Sequence, residues 1–211
     1  MLYLLDLFCG AGGAGEGYHL AGFEITGVDK YLQPKNPHCF VQADALEFLE
    51  SQGKDFDVIH ASPSCQFYTK ASKQWRKMGY QYPDMIAKVR EVLQRTGKYW
   101  IIENVPGSPL QNPILLNGSV FGINVHRPRY FETNFPLMQP VVPPMFPVKM
   151  GRPIREGDTV QPVGHFSGVR YAAKKMGLPW MGQKELAQAI PPVYTKWIGE
   201  QLMKLINKNN V

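Results

Sequence analysis

The sequence predicts an α/β fold, a mostly parallel sheet with helices on both faces. Two observations carry this. Apolar, strand-like runs alternate with helix-period segments from the N-terminus to about residue 104, the pattern by which successive β-α units build a parallel sheet. The first run also empties into a glycine-dense turn that leads into a helical pattern. That is how an α/β protein offers backbone N–H groups and a helix N-terminus to a ligand.

The elements follow in order. Leu2–Leu7 is an apolar run and reads as a buried strand, interrupted only by Asp6. A helix fits Gly15–Ala21, a strand Glu24–Val28 ending beside Asp29, a short strand Cys39–Gln42, and a helix Ala45–Ser51. Further strands fit Phe56–His60 and Tyr99–Glu103, with a helix over Tyr82–Thr96 between them. The stretch Lys70 to Lys77 has no period and reads as a loop. Arg129–Asn134 fits another strand. Phe135 to Pro162 then holds seven of the 18 prolines with little periodicity and reads as an irregular excursion. Order returns near Tyr171, and Val193, Trp197, Ile198, Leu202, Leu205 and Ile206 mark a last helix just after Pro191-Pro192.

A chain of 211 residues is expected to form one domain, with room for a small appendage, and to bury roughly 70% of its unfolded surface. No apolar run approaches the ~18 residues of a membrane span. No basic segment precedes the first strand, so no signal peptide is expected. Cys9, Cys39 and Cys65 stand far apart and form no C-x-x-C, which points away from zinc and from a disulfide framework, and toward the cytoplasm. A monomer is the expectation.

The net charge of +6 is concentrated. Between Lys70 and Lys98, eight basic residues face only Asp84 and Glu91, which equals the whole excess. Phe67, Tyr68, Trp75, Tyr80 and Tyr82 interleave with them. The Lys88 to Lys98 half also fits a solvated helix face. The loop carrying Lys70, Lys73, Arg76 and Lys77 suits phosphate contacts and base stacking.

The glycine turn allows two ligands. Gly10, Gly12 and Gly15 make a G-x-G-x-x-G, and Asp29 stands where an acid would bind a ribose. That suits a dinucleotide. Asp6 argues against it, because a carboxylate inside the strand repels pyrophosphate. A cationic ligand such as S-adenosylmethionine would be attracted. Open parallel sheets bind ligands at the carboxyl ends of their strands, and Asp6, Asp29, Asp44, Pro63 and Glu103 all fall at or just past such ends.

Three further features carry chemistry. Cys65 follows a strand in His60-Ala61-Ser62-Pro63-Ser64-Cys65-Gln66; beside a basic loop its thiol pKa is expected to fall, favouring the nucleophilic thiolate. Glu103 ends three apolar residues and is expected to be part-desolvated, with a raised pKa. Arg127 and Arg129, two apart on an extended segment, are expected to point the same way. A thiol, a neutralisable acid, arginines and a cationic-ligand pocket suit methylation of cytosine C5. Cys65 would attack C6, Glu103 would meet N3 and N4, and Arg129 would hold O2.

With these motifs in view, the chain resembles the DNA (cytosine-5) methyltransferase family, particularly its compact phage and actinobacterial forms. The matching pieces are DLFCGAGG (Asp6–Gly13), VDK (Val28–Lys30), ADAL (Ala43–Leu46), PSCQ (Pro63–Gln66), ENV (Glu103–Val105), RPRYF (Arg127–Phe131) and AQAIPP-x-Y (Ala187–Tyr194), in the family's order. The resemblance implies a Rossmann-like, S-adenosylmethionine-dependent methyltransferase fold, with residues 1–134 and 184–211 as the catalytic domain and 135–183 as a reduced, proline-rich recognition segment. It implies that Asp6, Phe8, Gly10, Gly12, Gly13, Asp29, Asp44 and Pro63 bind the cofactor. Asp29 would take the ribose hydroxyls and Asp44 the adenine amine. It implies that Cys65, Glu103, Arg127 and Arg129 surround a base flipped from double-stranded DNA. The loop from Gln66 to Tyr80, with Lys70, Lys73, Arg76 and Lys77, would close over that base.

The chain departs from the family pattern at Ser64, where proline is usual, at Thr69 for serine, at Val125 for glutamine, and at Ala189, near a usual asparagine. The recognition segment offers Lys149, Arg152, Arg155, Arg170, Lys174 and Lys175 for phosphates, so a short or relaxed target is expected. RNA, notably tRNA, is the alternative substrate. A nucleic-acid-binding relative without turnover and a dinucleotide-dependent oxidoreductase are the other classes.

Overall fold

The computed structural model describes residues 1–69, 72–147 and 152–209. Among them, β1 (Leu2–Leu7), β2 (Phe23–Asp29), β3 (Cys39–Gln42), β4 (Val58–Ala61) and β5 (Tyr99–Asn104) run parallel. β6 (Ile114–Leu116) and β7 (Arg129–Thr133) complete one sheet, with β7 antiparallel to both β5 and β6. The order across the sheet is β3-β2-β1-β4-β5-β7-β6. The sequence reverses direction between β1 and β4, and ligands of open α/β sheets bind at the carboxyl ends of strands beside such a switch.

Strand alternation sorts side chains between two cores. Leu4, Val58, Ile101 and Phe131 face a core shared with α1 (Gly13–Leu20) and the last helix, α7 (Pro192–Asn209). Leu5, Leu7, Ile59 and Ile102 face the other side, under α2 (Ala45–Gln52) and α4 (Ile86–Thr96). α1 and α7 approach closely at Gly17, where an added Cβ would stand 2.0 Å from Thr195 Oγ1 and 2.1 Å from the Pro192 carbonyl. Thr195 donates to the Ala14 carbonyl at 2.8 Å, tying the far end of the chain to its beginning.

Several segments differ from the sequence expectation. α4 starts at Ile86, not Tyr82; Pro83 disfavours helix at Tyr82, and Asp84 accepts a hydrogen bond from Tyr68 instead. Part of the expected loop is a short helix, α3 (Lys73–Lys77). β6 pairs only with β7 and is three residues long, too short for periodicity to reveal. Beyond the prolines, α5 (Val169–Met176) and α6 (Gln183–Leu186) pack a small third core of Val125, Val160, Ala172, Met176, Leu178 and Leu186. That core reaches the glycine turn, where Trp180 Nε1 donates to the Ala11 carbonyl at 3.0 Å. No helix among the described residues is long and apolar enough to cross a membrane.

Candidate active site

The glycine turn leaves β1 through backbone that ordinary residues avoid. Phe8 has φ 60°, Gly10 φ 48° and Gly12 φ 81°. For Phe8 such a conformation costs about 1–3 kcal/mol and persists only where the surroundings hold it. Asp29 at the end of β2 does part of the holding: Gly10 N–H donates to its Oδ2 at 3.0 Å and Tyr31 N–H to its Oδ1 at 2.9 Å. The three glycines differ in purpose. An added Cβ at Gly12 would meet Asn36 Oδ1 at 2.8 Å and one at Gly13 the Ile190 carbonyl at 2.8 Å, whereas one at Gly10 meets nothing within 4 Å. Gly12 and Gly13 therefore let the turn pack on its own chain, and Gly10 marks its open side.

Acids line this edge. Asp44 caps α2, accepting from the Leu46 and Glu47 amides at its Oδ1 at 2.9 and 3.2 Å. Asp6 is buried under the start of α1, and neither of its carboxylate oxygens has a well-formed hydrogen bond. Burial raises its pKa from 3.8 to about 7, opposed by the Gly15 amide and assisted by Asp29 and Glu103. The folded chain thus keeps a proton that the unfolded chain has lost, so this group's contribution to stability falls as pH rises from about 4 to 7. His60, depressed to about 3 by burial, acts in the opposite sense. Comparing a variant with the wild type cancels the His60 effect. Asp6→Asn is expected to gain melting temperature relative to wild type steadily as pH rises from about 4 to 7. Thermal melts across that range check it, and a pH-independent gap would show that Asp6 is not held protonated.

Cys65 opens a single 3-10 turn, Cys65–Phe67, just past β4. Ser64 has φ −47°, close to the value that proline imposes; it therefore takes the turn without the ring. The Gln66 amide donates to Ser64 Oγ at 3.4 Å. Pro63 is buried, and its carbonyl accepts from Asn104 Nδ2 at 2.9 Å, which ties the bend to the end of β5. The expected fall of the thiol pKa is not seen. Burial pushes the Cys65 thiol up, with Glu103 adding, and Arg129 and Arg127 offset only part of this. The cations that act on the sulfur come from the β7 side of the site rather than from the basic loop.

Glu103 is buried at the end of β5, its Oε1 2.8 Å from Arg129 Nε. Burial raises its pKa, as its sequence position implies, while Arg129, Arg127 and the Ser62 hydroxyl pull it down. Arg127 and Arg129 do not act as an equivalent pair, because Arg127 lies before β7 begins. Its Nε, Nη1 and Nη2 donate to the carbonyls of Ala189, Pro162 and Ala187 at 3.1, 2.6 and 2.8 Å. Burial and Arg129 depress its pKa to about 9. Arg127 therefore clamps the third core and the segment before α7 onto the site, while Arg129 faces Glu103.

The loop cations also divide. Arg76 Nη1 donates to the Gln66 and Thr69 carbonyls at 2.6 and 3.1 Å, folding the loop back on the Cys65 turn. Its guanidinium braces the loop instead of standing free for phosphate. Gln66, Lys73 and Lys77 are exposed. Lys70 and Lys149 lie outside the described residues. In the recognition segment Arg152 pairs with Asp158 and Lys175 with Glu156, leaving Arg155, Arg170 and Lys174 exposed. Two residues with clear structural roles escaped the sequence reading. Asn104 holds the bend, and His60, buried on β4, contacts both Tyr18 and Ser62. A histidine inside an apolar strand was the only signal for the latter.

No protein-family model matches the chain. Over 117 residues it is 27% identical to the Type II methyltransferase M.FnuDI of Fusobacterium nucleatum, a match spanning 49% of this chain and 32% of that protein. The chain thus spans well under half the length of this curated relative. Among solved structures, the S. pombe Dnmt2 methyltransferase superposes with a TM-score of 0.61 at 14% identity, covering 98% of this chain and 99% of that one. The Entamoeba histolytica methyltransferase EhMeth gives 0.65 at 14% identity with the same coverage. A protein described as a DNA modification methyltransferase encoded within an E. coli prophage gives 0.64 at 16%, covering 98% and 100%. The chain has the Rossmann-like fold of these methyltransferases.

Proposed function

We propose that the chain methylates C5 of cytosine in double-stranded DNA, using S-adenosylmethionine and a transient bond from Cys65 to C6 of a flipped base. One observation carries the proposal. The Cys65 bend stands at the carboxyl end of β4, next to β1 with its glycine turn and next to β5 with its Glu103–Arg129 pair.

The turn's chemistry fits the donor. The carboxyl groups acting on it at Cys9 are Asp29 and, once it ionises near pH 7, Asp6; negative charge there would repel a pyrophosphate and attract a cation. S-adenosylmethionine, when bound, supplies an electrophilic methyl group on a sulfonium. Phe8 and the open side of Gly10 would line its pocket, with Asp29 and Asp44 accepting from ribose and adenine.

Cytosine C5 is a weak nucleophile. Attack of the Cys65 thiolate on C6 breaks the C5–C6 π bond and moves its electron pair toward C5, while Glu103 donates a proton to N3. C5 would then take the methyl carbon as the bond between that carbon and the sulfonium sulfur breaks and its electron pair passes to the sulfur. Loss of the C5 proton to a base, departure of the Cys65 sulfur with its electron pair and return of the N3 proton to Glu103 would restore the ring. The raised pKa of Glu103 supports its role as the acid. Arg129 holds Glu103 in place and faces O2. Gln66, Lys73 and Lys77 would meet the nucleic acid, and residues 135–183 would read a short or relaxed target.

Tritiated methyl transfer to duplex DNA, single-stranded DNA and tRNA, run in parallel, tests this. Duplex DNA is expected to be labelled best, and bisulfite sequencing is expected to show scattered or short-motif cytosine methylation. Labelling of tRNA alone would replace DNA by RNA as substrate. Absence of labelling would leave a binding protein. Methylation confined to one long motif would refute the relaxed target.

A further inference from the structure

Asp6, His60, Ser62 and Glu103 interrupt the apolar face that the sheet turns toward α1 and α7. Asp6 on β1 and His60 on β4 are register partners, and β4 and β5 pair residue for residue up to Ala61 and Ile102. The next position brings Ser62 beside Glu103. His60 is fully buried, its Nδ1 3.0 Å from Tyr18 Oη and its Nε2 2.8 Å from Ser62 Oγ. The Ser62 hydroxyl lies near enough to the Glu103 carboxylate to favour its ionised form. The ring also packs against the Tyr18 ring, with centroids 5.3 Å apart.

A neutral imidazole has one donor nitrogen and one acceptor, and one of the two possible orders frees the Ser62 proton for an ionised Glu103. Tyr18 donates to Nδ1, Nε2–H donates to Ser62 Oγ, and the Ser62 proton is left for Glu103. The reverse order would spend the Ser62 proton on His60 and leave the ionised carboxylate without it. We propose that Tyr18 and His60 fix the direction of the Ser62 hydroxyl, so that His60 is a positioning residue that sets when Glu103 ionises. This rests on the reading of Glu103 as the acid of the site.

Burial keeps the ring neutral, its pKa depressed to about 3. The groups acting on Glu103 from neighbouring elements are Arg127 and Arg129 beside β7 and Ser62 past β4. Glu103 in turn acts on Asp6 of β1, Tyr18 of α1 and Cys65 of the bend. Of these, Ser62 and Tyr18 are the groups in hydrogen-bond contact with His60.

The test reads protons directly. Nitrogen-15 spectra of histidine-labelled protein are expected to show His60 as the Nε2–H tautomer across neutral pH. An Nδ1–H tautomer would overturn the inference. In Ser62→Ala, carbon-13 titration of the Glu103 carboxyl is expected to move up by about one pH unit, the loss of one hydrogen bond to a charged group. His60→Leu is expected to move it the same way. His60→Gln, whose amide keeps a donor near the Nε2 position, is expected to restore it. Tyr18→Phe provides a variant of minimal volume change, expected to give a smaller upward shift. A purely structural role would lower melting temperature and leave the Glu103 titration unmoved in all four, which would refute the proposal. The alkaline limb of kcat is expected to follow the same shifts. If the spectra behave as expected while no variant or wild type transfers methyl groups, the chain of hydrogen bonds stands and the functional reading falls.

Discussion

Cys65→Ser is expected to lower methyl transfer by roughly a thousandfold or more while leaving donor binding and folding close to wild type. The serine hydroxyl fits the same 3-10 turn, because the turn is built from Ser64, Gln66, Pro63 and Asn104 and not from the sulfur. The change removes only nucleophilicity. His60 does not serve a serine hydroxyl as its base, because both ring nitrogens are engaged by Tyr18 and Ser62 and its pKa, depressed to about 3, makes it a weak proton acceptor. Tritium transfer measures the rate, and calorimetric titration with S-adenosylmethionine measures binding. Duplex DNA containing 5-fluorocytosine adds a covalent readout, because the fluorine at C5 cannot leave as a proton and the sulfur stays bonded to C6. Wild type is expected to form this adduct and the serine variant none. A fully active serine variant would rule out the covalent route.

The sheet was readable because each parallel strand carries an apolar run bounded by turn residues, and the acids stood out as interruptions at strand ends. Asp6, Asp29, Asp44 and Glu103 do gather on one edge of the sheet. Partnership was not readable, because it joins residues far apart in sequence. Arg127 and Arg129 look alike in the sequence, yet one faces carbonyls some 60 residues onward and the other a glutamate on a neighbouring strand. The same holds for Tyr18 and His60, separated by 42 positions. The thiol of Cys65 shows a different limit. Sequence supplies nearby charges, but the depth of burial decides which effect wins, and burial follows only from packing. α5 depends on the third core, whose members from Ala11 to Leu186 share no local period, and the three residues of β6 place Ile114 and Leu116 in the core under α1 and α7.

Arg127→Ala is expected to cost about 3–5 kcal/mol of stability, because it leaves several carbonyl acceptors unsatisfied at about 1–3 kcal/mol for a buried one. The side chain supplies three hydrogen bonds, one to the buried Pro162 carbonyl and two to the part-buried carbonyls of Ala187 and Ala189. Its own backbone is fixed on both sides, with the N–H donating to Asn117 Oδ1 at 2.8 Å and the carbonyl accepting from Tyr194 Oη at 3.0 Å. Alanine would leave the three acceptors unsatisfied and open a gap between the third core and α7. Arg127→Lys is expected to recover little, since one ammonium cannot reproduce a planar fork aimed at three separate carbonyls. Urea unfolding measures the loss, and hydrogen exchange should locate it, with amides around residues 160–163 and 186–190 losing protection first. This experiment also separates two roles for the residue. A variant as stable as wild type but inactive would make Arg127 a contact to the base. A variant that is unstable yet, while folded, still forms the 5-fluorocytosine adduct makes it the strut that holds the rear of the site against the Glu103–Arg129 pair.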